Sequence, residues 1–260
     1  MLKTIAEAKL KEVERLRQSL DIAQVEAGDG VDRRNLSRNP GGKLQLIAEI
    51  KKASPLKGLL CSQFSPLEMA RSYETNGAAG ISVITEEEFF DGRREYLPLV
   101  KSRVKLPVLR KDFVINEVQI YESRQMGADL LLLIAALHDY DSLLALLEKC
   151  SALGMEPLLE THGRDEIKMA LDLPVKIIGI NNRNLRDFSV DIRTSLDLLH
   201  LIPDSCLKVS ESGIREAGDL LLLESSGCDF ALVGEALVTA PDPGAKLREL
   251  LAYRQKEEGL

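Results

Sequence analysis

From residue 44 onward, short apolar stretches alternate with longer amphipathic ones, and that alternation predicts the architecture. The apolar stretches cover residues 44–50, 80–85, 107–109, 129–135, 156–160, 176–181, 207–210 and 229–233. They are short and often β-branched, which makes them strand candidates. LLLLIAAL and KIIGIN are apolar at both alternations, as in strands covered on both faces of a parallel sheet. Residues 66–75, 117–126, 141–152, 164–171 and 215–225 lie between them and are predicted helices. Small-residue stops announce several strands: Asn76-Gly77-Ala78, Met126-Gly127-Ala128-Asp129 and Ser226-Gly227-Cys228-Asp229. Glycine there suits a left-handed helix C-cap.

Eight strands separated by helices predict an α/β protein, a single (β/α)8 TIM barrel over residues 1–260. An open doubly wound sheet is the competing arrangement. Its dinucleotide-binding form is disfavoured because no G-x-G-x-x-G follows the first strand. Residues 1–27 predict an extra amphipathic N-terminal helix with Leu2, Ile5, Ala6, Lys9, Leu10, Val13, Leu16 and Leu20 at helical spacing. The charge run 9–17 is expected to be a solvated face. Residues 28–42, rich in Gly, Asp, Arg, Asn and Pro, predict a loop. The N-terminal extension is thus 1–42 and the barrel 43–260.

In such a barrel the active site lies at the carboxyl ends of the strands, and each inward layer is built by alternate strands. The odd strands end in Ala48-Glu49-Ile50-Lys51, Leu109-Arg110-Lys111-Asp112-Phe113, Leu158-Leu159-Glu160-Thr161 and Val209-Ser210-Glu211-Ser212. Glu49 and Lys51 are two apart and so point to the same side. Any one of these charges alone would serve as a structural ion pair. All of Glu49, Lys51, Lys111, Glu160 and Glu211 in one mouth is costly unless they serve a ligand. Asn181, at the end of strand 6, offers a hydrogen-bonding amide. Phe90 and Phe113 offer flat apolar walls, whereas Phe89 is expected to pack in its loop. Gly213 and Gly234 follow strands 7 and 8, where barrels of this type commonly bind phosphate through backbone N–H groups.

His138, His162 and His200 have no metal-ligand spacing, and His162 is expected on a surface loop. No metal or other cofactor is predicted. The net charge of -7, from 34 basic and 41 acidic residues, argues against a general nucleic-acid or membrane binder. A few lysines must then meet an anionic, small phosphorylated substrate. The charge-studded N-terminus has no secretory h-region, and the longest apolar run, 130–137, is too short to span a bilayer. Four scattered cysteines without a C-x-x-C pair suggest free thiols and a cytoplasmic protein. A monomer or weak homo-oligomer is expected.

The segments IAEIKKASPLKG (47–58), ITEEEFFDG (84–92), LPVLRKDFVINEVQIYESRQMGADLLLLIAALHD (106–139), PLLETHGRDE (157–166), IIGINNRNL (177–185), VSESGI (209–214) and LVGEAL (232–237) closely resemble the indole-3-glycerol-phosphate synthase family of tryptophan biosynthesis. The E-x-K-x-x-S-P and K-D-F stretches are the specific ones. The resemblance implies a carbon–carbon lyase that closes the ring of 1-(2-carboxyphenylamino)-1-deoxyribulose 5-phosphate. The products are indole-3-glycerol phosphate, carbon dioxide and water. It also implies that Lys111 is the general acid, Glu160 its partner in proton transfer, and Glu49 with Lys51 the strand-1 pair. Asn181, Glu211 and Ser212 fall on active-site positions, Ser54 and Arg183 lie nearby, and Gly213 and Gly234 match the phosphate cradle. Glu235 departs from the serine of some members, and its carboxylate is expected to point away from the phosphate. A phosphosugar isomerase barrel is the closest alternative, but it would not explain the lysines on strands 1 and 3. A non-catalytic phosphometabolite sensor would need neither Lys111 nor Glu160.

Overall fold

Among the described residues, 2–28, 32–185 and 187–252, the computed structural model closes eight parallel strands into a barrel. The strands are β1 (Gln45–Ile50), β2 (Gly80–Ile84), β3 (Val108–Lys111), β4 (Leu130–Ile134), β5 (Glu156–Thr161), β6 (Ile177–Asn181), β7 (Leu207–Glu211) and β8 (Phe230–Val233). Each pairs with its sequence neighbours, and β1 closes the ring by pairing β8 at Gln45–Phe230 and β2 at Ile47–Gly80.

Period-two alternation sorts the side chains. Leu46, Ala48 and Ile50 of β1 pack outward under the helices, while Ile47 joins Leu109, Leu132, Leu158, Ile177, Val209 and Phe230 inside the barrel. On every odd strand a charged residue stands two positions beyond an interior apolar one: Ile47 then Glu49, Leu109 then Lys111, Leu158 then Glu160, Val209 then Glu211. Residues two apart on a strand share a face, so the charges form the layer above the apolar one.

The two parts of the N-terminal extension serve opposite ends of the barrel. The helix Leu2–Ser19 packs Val13 and Leu16 against Val118 of the helix Glu117–Gln125, and Ile5 reaches the mouth cavity. The segment after it, of which residues 29–31 lie outside the described residues, continues to the barrel base, where buried Leu36 joins the interior apolar cluster. Asp129 accepts from the Arg34 N–H at 2.9 Å and the Val108 N–H at 2.8 Å, and pairs Lys101 at 2.6 Å. Asp229 likewise takes the Lys208 N–H at 2.8 Å and pairs Arg38 at 2.5 Å.

Several expectations need correction. The single N-terminal helix over 1–27 is two helices, Leu2–Ser19 and Ile22–Ala27, because Asp21 caps the second by accepting from the Gln24 N–H at 3.1 Å. The charge run 9–17 is not wholly solvated. Lys9 is 2% exposed and Leu10 is 60% exposed, since neighbours on a helix differ by about 100° in direction and Lys9 has buried carboxylates to meet. β3 runs on to Lys111. Helices at Tyr96–Lys101, Arg193–Leu198, Glu235–Val238 and Pro243–Leu251, and a small ribbon pairing Ala53–Ser54 with Gly58–Leu59, were not anticipated. No helix among the described residues is long and apolar enough to cross a membrane.

Candidate active site

Every site candidate taken from the sequence lines one cavity of about 690 Å³ at the carboxyl ends of the strands. Its floor is the charged layer. Lys111 Nζ lies 3.1 Å from Glu160 Oε2 and 3.5 Å from Glu211 Oε2, and Lys51 Nζ lies 2.9 Å from Glu49 Oε1. Two glycines make room for the acids. A Cβ on Gly179 would collide with Glu211 Oε1, and one on Gly234 would collide with Glu49 Oε1. The bare backbone at Gly234 therefore houses a carboxyl, a role that a glycine-after-strand pattern does not reveal.

Burial works against the Lys111 ammonium, but Glu160, Glu211 and Glu49 outweigh it and hold its pKa above the ordinary lysine value. Burial would also raise Glu160, yet Lys111 and His162 keep it well below the usual carboxylate range. Glu211 goes the other way. Burial pushes its carboxyl up to about 8, Lys111 opposes this only in part, and Glu160 adds to the push. Glu160 has the Lys111 ammonium at 3.1 Å and the His162 imidazole at 3.3 Å, whereas Glu211 has Lys111 at 3.5 Å. The physical consequence is an ionised Glu160 beside a protonated Glu211. Among the described residues, neither oxygen of Glu211 has a hydrogen-bond partner.

The backbone that carries Lys111 is pinned on both sides. Arg110, fully buried, donates to Ser123 Oγ at 2.8 Å and pairs Glu122 at 2.8 Å and Asp112 at 3.1 Å. Asp112 meets Lys9 of the N-terminal helix at 2.6 Å. Burial alone would raise Asp112, but Lys9 and Arg110 bring it down to about 2.

The rim is less charged. Phe90 and Phe113 face each other with ring centroids 6.1 Å apart. Asn181 Oδ1 accepts the Arg183 N–H at 3.0 Å, and Arg183 Nη1 donates to Phe188 O at 3.2 Å. Ser212 and Gly213 both take positive φ, 69° and 80°, turning the chain sharply at the end of β7. A non-glycine residue there is strained, a cost that clusters at functional sites. Ser54 sits in the small ribbon above β1 and accepts the Lys57 N–H at 3.3 Å. The Glu235 carboxylate is held by Lys57 Nζ at 2.6 Å, and this cation outweighs burial to keep the acid below its ordinary value.

A sequence model of one family, described as indole-3-glycerol phosphate synthase, matches residues 2–250. A protein of that name from Carboxydothermus hydrogenoformans is 48% identical over 218 residues, 84% of this chain and 83% of the relative. Another from Chlorobium phaeobacteroides is 46% identical over 227 residues, 87% and 86% of the two chains. The chain belongs to the indole-3-glycerol phosphate synthase family. Members of that family are decarboxylating lyases of tryptophan biosynthesis, and this chain is such an enzyme. Solved structures at low identity show the barrel alone. 3-hexulose-6-phosphate synthase from Salmonella typhimurium superposes with a TM-score of 0.66 at 12% identity, covering 82% of this chain and 99% of that one.

Within this indole-3-glycerol phosphate synthase fold, sequence reasoning missed several cavity residues. Leu132 and Ile134 of β4 supply apolar floor, and Leu185, Phe188 and Val190 cover the β6 side. Lys57 lies within the quoted stretch 47–58 but was not singled out there. The sequence pattern predicts His162 on a surface loop. It is instead largely buried, 3.3 Å from Glu160 and 3.3 Å from Glu166. Its position two residues past Glu160 was the available signal. Among the described residues, no cluster of three or more His, Cys, Asp and Glu side chains is placed to hold a metal ion.

Proposed function

We propose that this cavity closes the pyrrole ring of 1-(2-carboxyphenylamino)-1-deoxyribulose 5-phosphate in the cytoplasm, with Lys111 as general acid and Glu160 as its proton-transfer partner. The observation that carries the reading is Lys111 on the cavity floor, bracketed by Glu160 at 3.1 Å and Glu211 at 3.5 Å.

The phosphate lies over the backbone turn at Gly213 and the start of the helix at Gly234–Glu235, with Ser54 and Arg183 beside it. The paired Lys57 cancels the charge of Glu235 there. The aromatic ring rests on the wall of Phe90 and Phe113. Lys51, partnered by Glu49, holds the substrate carboxylate against the same floor.

Attack of the ring carbon on the ketone turns the carbonyl oxygen into an alkoxide. A preorganised, largely buried ammonium stabilises that charge. An alkoxide is a far stronger base than an amine, so Lys111 still gives up its proton downhill despite its raised pKa. The carbon–carboxylate bond then breaks, and its electron pair restores the aromatic ring as carbon dioxide leaves. Loss of the hydroxyl needs a proton from an acid, and a lysine supplies it. The proton lost from the substrate goes to Glu160. Asn181, Glu211 and Ser212 hold the hydroxyl-bearing carbons in place. The substrate's own ring takes up the electrons, so we assign no metal or organic cofactor. The enzyme meets its substrate as a monomer or weak homo-oligomer.

Purified protein given this substrate should develop an indole chromophore without added metal. No indole signal at micromolar enzyme would overturn the reading.

A further inference from the structure

Behind Glu160, on the side away from Lys111, lies a second ionisable chain that the proposed chemistry does not use. Glu160 divides its oxygens: Oε2 faces Lys111 at 3.1 Å, and Oε1 faces His162 Nε2 at 3.3 Å. The imidazole approaches Oε1 off the hydrogen-bonding direction, so the contact is an ion pair rather than an aligned hydrogen bond. On its far side, His162 Nδ1 lies 3.3 Å from Glu166 Oε2, and the His162 backbone N–H donates to that same oxygen at 2.7 Å. Glu166 belongs to the helix Arg164–Leu171 that follows β5, and its side chain is 28% exposed, so the chain runs from solvent to the buried acid.

An imidazole with a carboxylate oxygen 3.3 Å from each nitrogen avoids setting a lone pair against either oxygen only when both nitrogens carry protons. We infer that His162 is a positioning residue held as an imidazolium, clamped by Glu166 and fixing Glu160 as an ionised carboxylate with Oε2 turned to Lys111. The inference rests on the proposed role of Glu160.

The charged groups facing His162 are Glu160 on its own strand and Glu166 on the following helix. Lys111 of β3 and Glu211 of β7 reach it only through Glu160. Burial disfavours the imidazolium, but the two carboxylates outweigh it and lift the pKa to about 9. The geometry has a catalytic consequence. Without the imidazolium, Lys111 would be the one cation left beside Glu160 among the described residues, and the buried Glu211 would compete for it. Glu160 would then hold a proton more readily and lose its preference for one rotamer. His162 does not line the cavity, so its loss acts on turnover through Glu160 rather than on substrate binding.

The charge state can be read directly. The chain has three histidines, so side-chain ¹H–¹⁵N spectra of the full-length enzyme resolve few signals. His162 should be doubly protonated at pH 7.5 and should titrate near pH 9. A neutral His162 at pH 7.5 overturns the inference. In kinetics, His162→Leu should lower kcat at least about tenfold with KM nearly unchanged. It should also move the acidic limb of the kcat profile up by about one pH unit, as loss of an adjacent opposite charge does. His162→Gln, which keeps a donor but not the charge, should recover part of kcat and leave the limb shifted. It guards against a His162→Leu chain that fails to fold. Glu160→Gln separates the two readings. If Glu160→Gln turns over normally, the role of Glu160 falls and the inference with it. If Glu160→Gln is inactive while folded His162 variants keep the wild-type profile, the inference alone falls.

Discussion

At the scale of single residues, the cavity floor is an arrangement in which neighbouring acids are driven apart in protonation. Lys111 and His162 hold Glu160 ionised, whereas burial leaves Glu211 protonated. Lys111→Ala should therefore cost about 10²–10⁴ in kcat, the usual worth of a positioned acid. It should leave binding of a phosphorylated product analogue within a few-fold, as measured by calorimetry. Retained turnover would remove Lys111 from its role. Glu211 also makes a pH prediction. Its folded pKa, about 8, lies above its ordinary 4.5, so between those values the folded chain holds a proton that the unfolded chain does not. Stability then falls as pH rises through that window. Glu211→Gln removes the slope, so its melting temperature should match the wild type near pH 5 and exceed it by pH 9. A constant offset across that range would refute the assignment. Glu160 acts in the opposite sense. Its depressed pKa gives stability that is present above the ordinary carboxylate value and lost on acidification.

At the scale of elements, the N-terminal helix is tied to the mouth by charge as well as by packing. Lys9 reaches across to Asp112, one residue from Lys111, and Asp112 is shared with Arg110 beneath the helix Glu117–Gln125. Removing one partner from a buried pair strands the other charge. Lys9→Met should destabilise by about 3 kcal/mol in urea melts, with Asp112→Asn costing a similar amount. The double variant should cost clearly less than their sum, because the stranded charge is then gone. Strict additivity would show that the pair contributes nothing. The amphipathic pattern did identify this helix, since Val13 and Leu16 recur at helical spacing and are buried. It could not say that Lys9, rather than Leu10, faces inward. That choice belongs to Asp112, which lies far along the chain. The same limit explains the break at Asp21, where one capping side chain outweighs the propensity of its neighbours.

At the scale of the whole molecule, chemistry and stability occupy opposite ends of the barrel. The base is closed by Leu36 and by Asp129 and Asp229, each of which ties the loop over residues 32–42 to the start of a strand. Leu36→Ala should lose about 2–5 kcal/mol in denaturant melts, as buried leucines do. Its kcat and KM at low temperature should stay close to wild type, and a large kcat loss would mean that the ends are coupled. The local pattern determined the barrel and the membership of its charged layer, because strand alternation is a short-range rule. Given Ile47, Leu109, Leu158 and Val209 inside, Glu49, Lys111, Glu160 and Glu211 must follow them onto the same face. Tertiary structure alone decided who pairs with whom. It gave Lys111 to Glu160 and Lys57 to Glu235, moved His162 from an expected surface loop to the back of Glu160, and filled the space above Gly234 with a carboxyl. Pairing and burial depend on distances between residues remote in the chain, and those distances exist only once the ring of strands has closed.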